Sequence, residues 1–381
     1  MTASPAFPLT GLELRSLITA DGELKLSLDP VEIAAPGPGE IVIKVEATPI
    51  NPSDLGLLIG PGDLSRAVEG GSDDRPTLTA PVQSERLVGV AARLDQSMAV
   101  GGEGAGLVIA AGEGAEHLLG RRIAAAAGGM YAEYRRMKAR DALLLPEGLT
   151  SLQGAAAFVN PLTALGMVET LRRENHTALV HTAAASNLGQ MLNRLCLKDG
   201  IPLVSIVRSP AQAELLRSQG ATHVCDSTAP DFMAQLTDAI HETGATLAFD
   251  AIGGGRLAGQ ILIAMEAAIN REGGEYSRYG SNRHKQVYIY GGLDMTPTEL
   301  PRGIGFAWNI GGWLLPPFLA RIGPEAAQGL RNRAIAELTT TFASQFSDRI
   351  SLAQALRLSH VKTYAQRATG QKFVITSVTS D

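Results

Sequence analysis

The chain has 381 residues, 45% of them hydrophobic and 19% charged, with a formal net charge of −5. That length holds two or three domains, and the composition fits large apolar cores, not a disordered chain. The acidic balance excludes a long basic face for nucleic acid, and 5% aromatic residues are too few for serial base stacking.

In chain order, the N-terminal MTASPAFPLTGLELRSL lacks the basic start and apolar run of a secretory signal. Glu40–Thr48 (EIVIKVEAT) alternates as a half-buried strand, bounded by Pro36, Pro38, Gly37 and Gly39 on one side and Asn51-Pro52 on the other. Gly104–Ala111 and Gly120–Ala126 read as two more strands. The stretch from Gly60 to Gly101 is too long for an ordinary connection and reads as a lid, a decoration or a disordered segment. Within it, Val82, Leu87, Val90, Ala91, Leu94 and Met98 lie near helical spacing.

From residue 177 the rhythm changes. Thr177–His181 is a short apolar run, AAASNLG a small-residue turn, and Leu188, Met191, Leu192, Leu195 and Cys196 one face of a helix. Apolar runs at Leu203–Val207, Thr222–Cys225, Ala245–Asp250 and Val287–Tyr290 then alternate with helical stretches at Ala211–Ser218, Phe232–Thr243 and Arg256–Asn270. This alternation predicts a parallel, doubly wound sheet. The fold class expected is therefore α/β, β-rich first and doubly wound after. Gly303–Ala320 is 18 residues without a charge, but its glycines and the Pro316-Pro317 pair make a membrane helix a poor reading. It is expected to form a buried interface or a pocket wall. A lone terminal strand, Lys372–Val378, must join an earlier sheet.

The two cysteines, Cys196 and Cys225, and seven scattered histidines show no metal-site spacing. A reduced cytoplasmic protein without structural metal, without nucleic acid or membrane as a partner, is the expectation.

The strand, small-residue turn and amphipathic helix at 179–196 suit a dinucleotide. Small residues let the backbone approach a pyrophosphate, and a helix N-terminus faces its charge. Aligned on G-x-G-x-x-G, the turn places Ala184, Ser186 and Gly189 at the three glycine positions, with Asn187 and Leu188 between the last two. An ordinary helix start capped by Ser186 or Asn187 is the alternative. The next strand ends in Val207-Arg208-Ser209, with Arg208 19 residues beyond Gly189. Binders of unphosphorylated NAD carry an acid about 20 residues on. An arginine there would instead attract a 2′-phosphate, and Ser209 adjoins it. The cofactor expected is NADP(H).

These residues carry a family resemblance. INPSD at Ile50–Asp54, GGEGAG at Gly101–Gly106, LGRRI through MYAEY at Leu119–Tyr134, LLLPEGLT at Leu143–Thr150 and AAAFVNPLTA at Ala155–Ala164 appear in order. LVHTAAASNLGQ at Leu179–Gln190, GATHVCD at Gly220–Asp226, FDAIGG at Phe249–Gly254 and TGQKFVI at Thr369–Ile375 follow. Over nearly its whole length the chain resembles the medium-chain dehydrogenase/reductase superfamily, in its zinc-free quinone oxidoreductase-like branch. The resemblance implies a GroES-like β-rich catalytic domain at 1–157 and 330–381 and a Rossmann NADP-binding domain at 158–329. It implies hydride transfer from NADPH to a quinone or another activated, α,β-unsaturated acceptor, a small electrophile, by a homodimer, for which the apolar 303–320 run is the expected interface. Ser53 and Gly102 stand where the zinc enzymes carry ligands, and the four-cysteine lobe is missing, so no metal site is expected.

VNPLTA at Val159–Ala164 and AAASNLGQ with IVRS look closer to the enoyl-thioester reductases, an alternative reading. Both branches usually carry a tyrosine where this chain has Gly62. Its loss leaves a silent NADPH-binding sensor or structural protein as another alternative. By resemblance Asn51, Asp54 and Asn160 are the catalytic candidates, with Thr163 near the nicotinamide and Tyr290, Gly291 and Gly292 beside its amide. Asn51 and Asn160 could equally be turn or cap residues. Tyr131 and Tyr134 read as packing residues. Lys372 reads either as a ligand of the cofactor phosphates or as a surface lysine. The basic, aromatic segment from Tyr276 to Lys285 reads as an adenine-phosphate clamp or a solvated loop.

Overall fold

A computed structural model describes residues 5–273 and 277–377. The chain divides into unit 1, Met1–Val159 with Ile335–Asp381, and unit 2, Asn160–Ala334.

Unit 1 is built on two sheets. Strands β1 (Leu9–Ile18), β2 (Glu23–Ile33) and β3 (Glu40–Pro49) open it, and β4 (Val68–Gly71), β5 (Pro76–Pro81) and β6 (Met98–Ala99) come from the long inserted stretch. β7 (Gly104–Ala111), β8 (Arg122–Ala125), β9 (Tyr134–Lys138) and β10 (Ala142–Leu144) follow. One sheet has the order β4-β5-β2-β1-β6. Leu14, Ile18, Leu24, Leu26 and Leu78 lie fully buried on its inner face, each worth about 1.5–3 kcal/mol relative to exposure.

The inserted stretch is thus a structural part of the sheet, neither lid nor disordered. The helical spacing at 82–98 yields only α-helical Ser84–Leu87 and a 3-10 turn at Val88–Arg93. Gly89 weakens a helix there, and Ala91, one of the side chains meant for its apolar face, is exposed.

The other sheet runs β10-β8-β7-β3 and continues into the chain's last two strands, β20 (Phe373–Thr376) and β19 (Asp348–Ile350), with β9 also paired to β3. The terminal strand therefore joins an earlier sheet, antiparallel to β3 with Ile375 opposite Thr48. Val378, at the end of the expected strand, lies outside the described residues.

Unit 2 is a parallel sheet wound on both faces. Its strands are β11 (Leu179–His181), β12 (Leu203–Val207), β13 (His223–Asp226), β14 (Leu247–Asp250), β16 (Lys285–Ile289) and β18 (Trp308–Gly312), in the order β13-β12-β11-β14-β16-β18. Two short strands, β15 (Gly253–Gly255) and β17 (Asp294–Thr298), pair outside it. In strand rank that order is 3-2-1-4-5-6, the dinucleotide-binding arrangement, which reverses direction between β11 and β14. The first crossover helix, Asn187–Asp199, starts at the Ser186 cap and ends at Gly200 with φ +66°, the left-handed geometry glycine adopts at no steric cost. Gly303–Ala320 divides between β18 and the start of a helix at Leu315–Ile322, and no described helix is long and apolar enough to cross a membrane.

Candidate functional site

Each unit carries one concentration of functional side chains. In unit 2 it lies at the carboxyl ends of the parallel strands. Gly189 is fixed by packing: a Cβ there would stand 2.1 Å from the Ala184 carbonyl oxygen, so only glycine lets the helix start this close to the strand. Ser186 accepts from the Gly189 amide at 3.1 Å and is the helix cap. Asn187 and Leu188 form the first helical turn, and Ala183 before them has φ +49°. The capping and dinucleotide readings of the turn are therefore compatible.

Arg208 sits just past β12, exposed, its backbone amide donating to Gln212 at 3.0 Å. Ser209 caps the helix at Pro210–Ser218. Asn160 lies inside the first turn of the helix Val159–Arg173, not at its cap, and Thr163 is buried one turn on. Gly291 follows Tyr290 where a Cβ would stand 2.7 Å from the Ala251 oxygen, and Gly292 is exposed.

His181, the last residue of β11, was given no role by the sequence. It is fully buried, stacks on Tyr290 and shares a 2.8 Å hydrogen bond between its Nε2 and the tyrosine hydroxyl. Burial pushes its pKa down to about 3, so the imidazole is neutral. Beside it, Thr182 donates to Asp250 at 2.7 Å, and Asp250 also accepts from the amides of Ile252 and Gly253.

The segment leading to Lys285 belongs to the opposite end of this sheet. It enters the amino end of β16, whereas the Ala184–Gly189 turn leaves the carboxyl end of the parallel strand β11. Arg283 is engaged bidentately by Glu272 at 2.7 Å, and Lys285 is buried against Glu266 at 2.6 Å. The adenine-phosphate clamp is therefore withdrawn. Tyr276 lies outside the described residues.

Unit 1 holds a buried polar cluster in the segments that follow β3 and precede β7. Asp54 accepts from the Asn51 amide at 2.9 Å, from the Gly102 amide at 2.8 Å and from the Tyr131 hydroxyl at 2.9 Å. Glu103 accepts from the Asn51 side-chain amide at 2.8 Å and from the backbone of Phe158 and Val159 at 3.0 and 2.9 Å. Burial raises the pKa of both carboxyls, and the hydrogen bonds work against that rise. Tyr131 is fully buried, so the packing role expected of it holds, but its hydroxyl also anchors the cluster.

Lys372 is not a surface lysine. Its ammonium is sealed from solvent above the Phe346 ring, 5.4 Å from the centroid. Burial drives its pKa down to about 8 against the pull of Glu103 and Asp54. Two atoms here have no hydrogen-bond partner among the described residues, the Asn51 side-chain oxygen and the Lys372 nitrogen. Glu103, like His181, was missed as a functional residue. The available signal was its place as the one charge in the run VGGEGAGLVIAA.

No group of three or more His, Cys, Asp or Glu that could hold a metal ion occurs among the described residues. Gly62, where a tyrosine is usual, is closed by packing: a Cβ there would lie 2.6 Å from Leu24 Cδ2 and 3.1 Å from the Ile59 oxygen.

No family model matches the chain. A synaptic vesicle membrane protein VAT-1 homolog from Rattus norvegicus is 29% identical over 236 residues, 61% of this chain and 51% of that protein. This chain spans about half the length of the VAT-1 relatives it matches. A mycocerosic acid synthase-like polyketide synthase of Mycobacterium tuberculosis is 27% identical over 290 residues, 74% of this chain and 12% of the synthase. Among solved structures, a provisionally assigned NADPH:quinone reductase from Mesorhizobium loti superposes with TM-score 0.72 at 26% identity, covering 98% of this chain and 100% of that one. The Etr1p complex with NADP and crotonyl-CoA gives TM-score 0.69 at 19% identity, with 97% and 100% covered. Etr1p is a mitochondrial 2-enoyl thioester reductase of Candida tropicalis.

Proposed function

We propose that the chain is a member of the zinc-free branch of the medium-chain dehydrogenase/reductase superfamily, a reading its likeness to NADPH:quinone reductase structures supports, and that it is an NADPH-dependent reductase of a quinone or another activated, α,β-unsaturated acceptor. The observation that carries this reading is the unit 2 turn: a 3-2-1-4-5-6 sheet whose first helix start packs too tightly for any residue but Gly189, with an exposed arginine past the second strand.

Bound NADPH supplies the hydride. Ala184, Ser186, Asn187, Leu188 and Gly189 receive the pyrophosphate at the helix start, Arg208 and Ser209 the 2′-phosphate, and Thr163, Tyr290, Gly291 and Gly292 the nicotinamide half. The assignment of Arg208 is supported by its guanidinium, which makes no ion pair among the described residues.

Asn51, Asp54 and Asn160 are assigned to the acceptor. Glu103 accepts a hydrogen of the Asn51 side-chain amide, which fixes the amide's orientation, so Asn51 offers its oxygen, an acceptor for a hydroxyl or amide proton. Lys372 balances the two buried carboxylates and does not serve as a phosphate ligand in this reading. Its position favours that role over the one the resemblance implied. The homodimer stays part of the proposal, with β18 at the outer edge of the unit 2 sheet and Phe306 and Leu314 80% and 61% exposed beside it.

A fluorescence titration with NADPH beside NADH tests the cofactor. Micromolar binding of NADPH, about −8 kcal/mol, with NADH much weaker, is the expected result. Absence of binding by either nucleotide would remove the reductase reading. NADPH oxidation with benzoquinone beside a crotonyl thioester then separates the acceptor classes, and no turnover with any activated acceptor would leave a silent nucleotide binder.

A further inference from the structure

The hydrogen-bond inventory at the carboxyl ends of β11, β14 and β16 leaves one donor over. Thr182 gives its hydroxyl hydrogen to Asp250 and accepts the Ala251 amide at 2.8 Å. Asp250 accepts from Thr182, Ile252 and Gly253. Neither residue has a hydrogen left to donate to its neighbours. The neutral His181 ring carries one N–H and the Tyr290 phenol one O–H, so the pair has two donors. Only one of them is used in the 2.8 Å bond between them.

Which donor remains follows from burial. His181 Nδ1 is sealed and has no partner. A sealed N–H without an acceptor is rarer and costlier than a sealed lone pair. The proton therefore belongs on Nε2, where it donates to the tyrosine oxygen, and the Tyr290 hydroxyl hydrogen is the donor left over. Tyr290 itself is only partly buried.

The chemistry of that donor selects its ligand. It is single and neutral, because burial holds the imidazole uncharged and lifts the phenol pKa above its usual range. A single neutral O–H matches a single uncharged acceptor such as an amide oxygen. The first half of such a sheet, β11 to β13, takes the pyrophosphate and the adenine ribose. Tyr290 follows β16 in the second half, where the other end of a dinucleotide must lie.

Resting on the NADPH reading above, we propose that Tyr290, with its hydroxyl hydrogen aimed by His181, donates to the carboxamide oxygen of the nicotinamide and so fixes which face of the ring the protein presents. Tyr290 touches the cofactor in this arrangement, and His181 is a positioning residue.

Binding alone tests it, with two probes: NADPH, and 2′,5′-ADP, which carries the 2′-phosphate but no nicotinamide. Tyr290→Phe is expected to weaken NADPH about fivefold, the loss of one neutral hydrogen bond, and to leave 2′,5′-ADP unchanged. His181→Leu should follow the same pattern, and His181→Gln, whose amide can still donate to the tyrosine oxygen, should recover most of the NADPH affinity. Equal weakening of both probes would mean a structural role and overturn the proposal, as would two variants that bind NADPH like the parent. If the parent protein binds 2′,5′-ADP and NADPH with one affinity, the carboxamide contact is absent although the cofactor reading stands. If it binds neither, the reductase reading falls and this contact falls with it.

Discussion

Arg208 decides between two cofactors with one side chain. A charge-assisted bond to a phosphate is worth roughly 1.5–3 kcal/mol. Arg208→Asp should therefore weaken NADPH by about ten- to a hundredfold, while NADH binding holds or improves. Isothermal titration of both nucleotides checks this, and unchanged NADPH affinity would place the 2′-phosphate elsewhere. Gly62 poses the opposite question, whether a missing side chain could be restored. With Leu24 Cδ2 2.6 Å and the Ile59 oxygen 3.1 Å from a Cβ, Gly62→Tyr should lower the melting temperature by several degrees and not raise enoyl reduction. A stable, more active variant would show that the position still faces a substrate.

Lys372 gives a pH test with a definite sign. Its pKa is about 8 in the fold and about 10.4 in an unfolded chain. Between those values the unfolded chain holds more of its proton, so stability attributable to this residue rises with pH across that window, by at most about 1.4 kcal/mol per pH unit. Below pH 8 the ammonium is charged in both states and the contribution is flat. Urea unfolding of the parent and Lys372→Met from pH 7.5 to 9.5 should show the parent gaining on the variant. Parallel curves would mean an ordinary lysine.

At the scale of elements, what could be read ahead of the structure tracks how local the determining physics is. The unit 2 strands and helices were legible because each is a contiguous apolar period closed by its own cap, such as Ser186 or Gly200. The inserted stretch was not. β4 and β5 have few buried side chains of their own in sequence, and their place depends on pairing with β2, with Leu26 opposite Leu78. The same divide runs through the candidate site. Gly189 was legible from a local spacing, whereas Glu103, His181 and the burial of Lys372 depend on partners 52 to 109 residues away or on sheet pairing. The helix start at Gly189 also gives a sharp mutational prediction. Gly189→Ala would drive a methyl to 2.1 Å from the Ala184 oxygen, which backbone cannot yield cheaply. The helix must move off the Ala184 turn, with a loss of about 1–3 kcal/mol or more in stability and of NADPH binding beyond that of a surface glycine such as Gly329 in the helix Pro324–Ala336, where nothing lies within 4 Å. Equal effects at the two positions would refute the packing argument.

For the molecule as a whole, the chain path gives unit 2 its own continuous segment, 160–334, between the two stretches of unit 1. Both cysteines lie in unit 2 and are free and buried. Burial pushes Cys196 to about 12 and Cys225 to about 11, so neither supplies thiolate at neutral pH while the unit is folded. Reaction with a disulfide reagent must therefore wait for unit 2 to open. NADPH that binds the folded turn raises the free energy of that opening by about 2.7 kcal/mol at a hundred times its dissociation constant. Where opening and closing outpace labelling, the thiols should react about a hundredfold more slowly. 2′,5′-ADP at the same multiple of its own constant should protect equally, because the protection depends on occupancy and not on which groups make the contacts. Labelling that is fast in the native protein and indifferent to both nucleotides would contradict the burial of the cysteines and the placement of the cofactor on unit 2 together. Protection by NADPH without protection by 2′,5′-ADP would mean that 2′,5′-ADP binds away from the folded turn and is no probe of the Arg208 end of the site.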